Sequence, residues 1–158
     1  MTLFILLKVL HIISMSLFLG AGFASAVMKL RADRTKDPRI ISFVLDHIVW
    51  ADWMFTIPSG VLLPVTGLWM ASVVGWPLTT PWIAAGIILY IVAGVTWLPA
   101  AVLQIRMRKA AHAAAQVDGP LPPDYWRWTR TWFLLAIPSF AAALYTTYVM
   151  TSKHLPFW

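Results

Sequence analysis

The chain has 158 residues, of which 60% are hydrophobic and only 11% are charged. Together with a mean hydropathy of +0.75, this composition excludes an ordinary soluble surface and predicts a protein embedded in a lipid bilayer. The formal charge of +6 does not indicate a nucleic-acid partner, because the basic residues stand at the ends of apolar segments. The sequence contains no cysteine, which excludes disulfides, thiolate metal sites, iron–sulfur clusters and a cysteine nucleophile.

Four apolar segments, each long enough to cross a bilayer, follow one another along the chain. They predict one all-α domain over residues 1–158, an integral membrane four-helix bundle. The second segment is long for one crossing and contains Pro58 and Pro64, each of which removes a backbone donor, so we expect a kink or an interfacial extension there. The predicted spans run from Leu3 to Met28, from Ile41 to Ala71, from Trp82 to Ile105 and from Trp128 to Thr151.

Two segments beside these spans have a recognisable composition. Small residues from Gly20 to Ala26 let another helix approach the first span closely, either for internal packing, the more ordinary explanation, or as a dimerisation face. An alanine-rich run predicts that the third helix continues to Ala115, beyond the membrane. The glycine and prolines of residues 119–123 then end it.

The basic residues give the orientation, because Lys and Arg in short loops are retained on the cytoplasmic side. Only Lys8 and Lys153 lie toward one face, whereas the other basic residues flank loops one and three, and residues 72–81 carry no charge. This distribution predicts an N-out/C-out protein of a bacterial inner membrane. Tryptophans mark both boundaries, the outer one at Trp69, Trp76, Trp82 and Trp158 and the inner one at Trp126, Trp128 and Trp132.

Ionisable side chains are expensive to keep in lipid, so those inside the spans are candidate functional residues. Lys8, His11 and Met15 share one face of the first span. Lys8 either snorkels to the outer headgroups or points into the bundle. His11 lies deeper and is either a hydrogen-bonded packing residue or an axial ligand for haem.

The second span carries a carboxylate near the middle of the membrane. Asp52 must be neutralised or hydrogen-bonded there. Trp53 and Trp97 do not fit an interfacial belt and are expected to pack in the bundle or to form the wall of a site. With Gln104 and Arg106, the polar residues near the inner end of span three, these side chains make up a predicted polar intramembrane site.

Other polar residues have ordinary explanations. Asp46 and His47 lie within two turns of Arg39, which favours an interfacial cluster. A rise of about 1.5 Å per residue places His47 far from His11 along the membrane normal, so the two are poor opposite ligands of one haem. Four residues are left as surface or interfacial groups, His112, His154, Tyr145 and Tyr148, although the tyrosines could instead line a cavity. No HExxH motif, Walker loop or dinucleotide glycine signature is present.

Several stretches along nearly the whole chain resemble a bacterial family, the domain-of-unknown-function family 2269, described as predicted integral membrane proteins. We identify the chain as a member of this family, whose name carries no function. The matching stretches are residues 7–14, 20–22, 51–56, 64–69, 97–99, 103–108 and 121–126.

More distantly, the Leu10-His11-Ile12 element is similar to the first span of HemJ-type protoporphyrinogen oxidases and of CopD-like copper-resistance membrane domains. HemJ proteins bind b-type haem through a first-span histidine, and this resemblance implies His11 as the haem-iron ligand. Span three lacks a lysine, with only Gln104 and Arg106 polar near its inner end, so the resemblance does not extend to protoporphyrinogen oxidation.

Three functions compete at this point. The first is haem b binding, with Lys8, His11 and Met15 at the cofactor and a redox role, as a membrane oxidoreductase that exchanges electrons with a quinone or another redox protein. The second is a small transporter or proton-relay subunit that uses Asp52 and Gln104, with a homodimer supplying the missing half. The third is a cofactor-free accessory protein.

Overall fold

The computed structural model describes residues 1–153, which form five α-helices and one π-helical turn. The described part of the chain contains no strand. The rod formed by α2, the π-turn and α3 is unbroken over Pro38–Val74, so the helices make four candidate membrane spans. The prediction of an all-α chain with four spans is confirmed. The helices are α1 (Thr2–Thr35), α2 (Pro38–Ala51), the π-turn (Asp52–Thr56), α3 (Ile57–Val74), α4 (Pro81–Gln116) and α5 (Pro123–Ser152).

Local sequence signals set the helix ends. Lys36 ends α1 in the left-handed region, with φ of 56°. The Asp37 carboxylate then accepts a hydrogen bond of 2.8 Å from the Arg39 N–H and caps α2. Gly75 ends α3 with φ of 77°, a conformation that glycine adopts without strain. Prolines stand in the first turns of α2, α4 and α5, where a missing N–H costs nothing.

The expected disturbance of span two is the π-turn at Asp52–Thr56. It ends two residues before Pro58, whose ring would press on the carbonyl four residues earlier in a regular α-helix. The wider turn carries a bond from the Ile57 N–H to the Asp52 carbonyl instead. Pro64 lies within α3 without interrupting it.

Helix α4 makes its most extensive contact with α5, and α1 packs mainly against α3 and α2. Helices α1 and α5 touch only slightly. A buried apolar cluster lies toward the end that carries loops one and three, made of Ala32, Ile41, Leu45, Ala100, Met107, Ala111, Tyr125 and Trp132. Large apolar side chains cover the outward surfaces of the helices, as an acyl-chain environment requires.

Candidate functional site

His11 is held against α3 by a polar contact. Its Nδ1 lies 2.9 Å from the Thr66 hydroxyl oxygen. The Thr66 hydroxyl donates its single hydrogen to the Leu62 carbonyl, 2.6 Å away, so the oxygen accepts from Nδ1–H. In a neutral ring with that proton position, Nε2 carries the free lone pair.

Gly67 explains how the His11 ring reaches this position. A Cβ atom at Gly67 would come within 3.2 Å of His11 Cε1 and 3.6 Å of Nδ1. The glycine therefore leaves room for one edge of the imidazole to lie against the α3 backbone. On the same face of α1, Lys8 is exposed and Met15 is half-buried.

Asp52 lies at a cavity of about 60 Å³ inside the bundle. The Asp52 side chain is 8% exposed and faces the side chains of Thr56 and Gln104. The Thr56 hydroxyl is buried beside the Asp52 carboxyl and has no other hydrogen-bond partner among the described residues. The polar part of the lining comes from all the spans and consists of Ser25, Asp52, Thr56, Gln104 and Ser139.

The remaining members of the predicted polar site divide into two groups. Trp97 is half-buried and lines the cavity. Trp53 is 69% exposed and Arg106 is also exposed, and neither side chain lines the cavity. Helical phase is the reason, because one or two residues along a helix turn a side chain roughly 100° or 200° away from its neighbour.

Sequence reasoning missed a buried polar cluster, which we call the inner clamp and define as Lys29, Asp33, Tyr125 and Thr129. Lys29 is only 1% exposed, and its ammonium donates to Asp33 at 2.6 Å and to the Tyr125 and Thr129 oxygens at 3.1 Å each. The Tyr125 hydroxyl donates to the second Asp33 oxygen at 2.5 Å. All three ammonium hydrogens are used, and the clamp joins α1 to α5, two helices that otherwise touch only slightly.

The signal for the clamp is present in the sequence. Lys29 precedes Asp33 by four residues, and Tyr125 precedes Thr129 by four, so each pair shares one helix face. A lysine at the inner end of a span also satisfies the positive-inside rule. That rule accounts for the position of Lys29 in the sequence without requiring its side chain to be buried.

A second ionic cluster lies between α2 and α4. Asp46 accepts from Arg108 Nε at 2.5 Å and lies 2.9 Å from His112 Nε2. It is thus a half-exposed interfacial cluster, whereas the predicted partner His47 is exposed and its ring lies 5.6 Å from the Trp50 ring.

The opposite end of the bundle is aromatic. The ring centroids of Trp76 and Trp82 are 5.1 Å apart, and the Lys153 ammonium lies 5.0 Å from the Trp76 ring. The stacked rings of Tyr145 and Tyr148 are exposed and do not line the cavity. Two predicted surface residues, His154 and Trp158, lie outside the described residues.

Comparison with family models shows which protein family the chain belongs to. Residues 5–154 match the family described as predicted integral membrane proteins, DUF2269. The chain belongs to this family. Comparison with curated proteins and with solved structures finds no similar protein.

In this DUF2269 member the candidate residues lie at two separate sites. His11 with Thr66 and Gly67 lies between α1 and α3, and Asp52 with Thr56 and Gln104 lies at the internal cavity. Within residues 1–153 no three His, Asp or Glu side chains gather in a way that could hold a metal ion.

Proposed function

We propose that this multi-pass membrane protein binds b-type haem through His11 and acts in electron transfer or a small redox reaction. The observation that carries the proposal is the hydrogen bond from His11 Nδ1–H to Thr66, which leaves Nε2 as the free ligand atom. Haem-ligating histidines need this tautomer, and a hydrogen bond at the other ring nitrogen orients the ring. The similarity of residues 10–12 to HemJ-type proteins supports the same assignment.

The internal cavity is not the place for the haem. Its volume of about 60 Å³ is far below the roughly 300 Å³ of a small-molecule site, and His11 does not line it. His11 instead borders the outer surface of the α1–α3 pair, where Lys8 would pair with a propionate carboxylate and Met15 would pack against the ring. Bound haem would supply one-electron chemistry. A quinone or redox protein would approach from the lipid side, or a second copy would cover the group.

A visible spectrum tests this proposal. We expect a Soret band from detergent-purified protein produced with ample haem, and loss of the band in His11→Ala. His47→Ala is the matched control, because His47 is an exposed histidine far from His11. A protein that stays colourless after haem addition would overturn the proposal and favour the cofactor-free accessory role, and so would a band that persists in His11→Ala.

The cavity favours a second candidate, a proton relay or a small transport subunit, which would need a homodimer to complete a pathway. The supporting observation is the buried Asp52 carboxyl beside the buried Thr56 hydroxyl, which has no other partner among residues 1–153. We expect Asp52→Asn to abolish proton or solute flux in liposomes, whereas Asp124→Asn, at an exposed carboxylate paired with Arg127, leaves it intact. Unchanged flux in Asp52→Asn would remove this candidate.

A further inference from the structure

The charge balance around Asp52 is incomplete. A carboxylate at membrane depth needs a positive partner, because an unpaired buried charge costs several kcal/mol. The groups that line its cavity from the other helices are neutral, namely Ser25 on α1, Gln104 on α4 and Ser139 on α5. No lysine, arginine or histidine is among the lining residues.

The nearest cation along α1 is already used. Lys29 follows Ser25 by one helical turn, but its ammonium is saturated by Asp33, Tyr125 and Thr129. Asp33 provides the negative charge that balances Lys29. The inner clamp is thus neutral as a unit and contributes no net charge to compensate Asp52.

The size and chemistry of the cavity limit what can provide the missing charge. A volume of about 60 Å³ accommodates a water or two at roughly 30 Å³ each, and excludes an organic substrate. The polar side chains that line the cavity all carry oxygen atoms, which hard cations prefer as ligands. One carboxylate balances one positive charge, so a divalent ion would remain uncompensated.

We propose that the cavity is a binding site for one small monovalent cation at Asp52, carried either as a proton on the carboxyl or as a sodium ion. The buried Thr56 hydroxyl, which faces the carboxyl and has no other partner among residues 1–153, turns to the bound cation or to a water beside it. The π-turn holds Asp52 and Thr56 one wide turn apart, and such turns are frequent at functional sites. This site deepens the relay candidate and does not depend on haem at His11.

Unfolding and infrared measurements on the detergent-purified full chain test the proposal. The first arm measures the thermal unfolding midpoint while NaCl replaces choline chloride at constant ionic strength, because a cation that binds the folded state raises the midpoint by mass action. The second arm measures the infrared C=O stretch of a protonated carboxyl. Both are recorded for wild type, for Asp52→Asn, and for Asp124→Asn as the exposed-carboxylate control.

Sodium binding predicts a midpoint that rises with NaCl, with the rise absent in Asp52→Asn and retained in Asp124→Asn. Proton binding predicts no sodium effect and a protonated-carboxyl band that disappears only in Asp52→Asn. An ionised Asp52 without a sodium effect overturns the proposal, as does a sodium effect that survives in Asp52→Asn.

Thr56→Val gives a second test that keeps the carboxyl. We expect sodium to bind about tenfold more weakly, or the protonated-carboxyl band to shift, because one oxygen partner is lost. Thr56→Ser should behave as wild type, and equal behaviour of valine and serine variants would contradict the role of the hydroxyl. Flux measurements in liposomes test the relay candidate separately. A protein that binds the cation but shows no flux would contradict the relay and would still support the cation site.

Discussion

At the scale of single residues, the His11 site depends on the hydroxyl that accepts from Nδ1. We predict that Thr66→Val lowers haem affinity about 10- to 100-fold while the Soret band remains, because the ring keeps its iron-binding atom and loses its orienting partner. Haem titration of the purified protein measures this change. Thr96→Val is the control, since the Thr96 hydroxyl bonds only to carbonyls of its own helix. Equal affinities for the two variants would contradict the orienting role.

The inner clamp gives a second prediction for single residues. Lys29→Met should reduce the free energy of unfolding by about 3–5 kcal/mol, because it leaves the Asp33 carboxylate buried without its cation. Denaturation in mixed detergent micelles measures the loss, and Lys109→Met, at an exposed lysine, serves as the control. The double variant Lys29→Met/Asp33→Leu should recover much of the stability. A double variant less stable than Lys29→Met would contradict this account.

The sequence identified some of these residues and not others, for physical reasons. Asp52 is detectable because a carboxylate in the middle of an apolar span is costly wherever its side chain points. The structure places Trp53 and Arg106 outside the lining of the cavity, which the sequence does not reveal because an apolar span has no clear amphipathic phase to show which face is inward. Lys29 was missed because burial depends on a partner helix almost a hundred residues away.

At the scale of helices, the rod from α2 to α3 depends on the π-turn for its phase. The prolines indicated a disturbance of the helix. The π-turn accommodates one more residue than an α-helical turn does, and sequence periodicity does not show where in the span this happens. The turn sets the rotation of the buried face of α2, at Ile41, Leu45 and Ile48, relative to Leu63 and Thr66 on α3. That rotation carries Asp52 to the cavity.

Deletion of Trp53 tests the role of the turn. Removing one residue should restore α-helical geometry and leave the buried faces of α2 and α3 in phase, because the five residues of a π-turn cover about the same rotation as four residues of an α-helix. We expect only a small change in the unfolding midpoint but loss of any cation effect at Asp52, because the carboxyl and the Thr56 hydroxyl lose the spacing that the wide turn gives them. Trp53→Ala is the control, because its side chain is 69% exposed and its loss should change stability little. A cation effect that survives the deletion would show that the turn does not set the geometry at Asp52.

At the scale of the whole molecule, hydropathy predicted the number and order of the spans, because each crossing needs about 20 apolar residues whatever its neighbours. It did not predict which helices touch. The α1–α3 and α4–α5 pairs and the weak α1–α5 contact arise from side-chain fit and from buried polar pairs, which mean hydropathy does not encode. Orientation stays a prediction from the basic residues.

The absence of cysteine allows a direct test of that orientation. Single cysteines can be placed at two exposed positions, Thr79→Cys in loop two and Gln116→Cys at the end of α4. If loops one and three are cytoplasmic, a membrane-impermeant maleimide should label Thr79→Cys in intact spheroplasts and Gln116→Cys only after lysis. The wild-type chain should remain unlabelled throughout. The opposite pattern would invert the bundle, and the inner clamp would then face outward while His11 would lie toward the cytoplasmic leaflet.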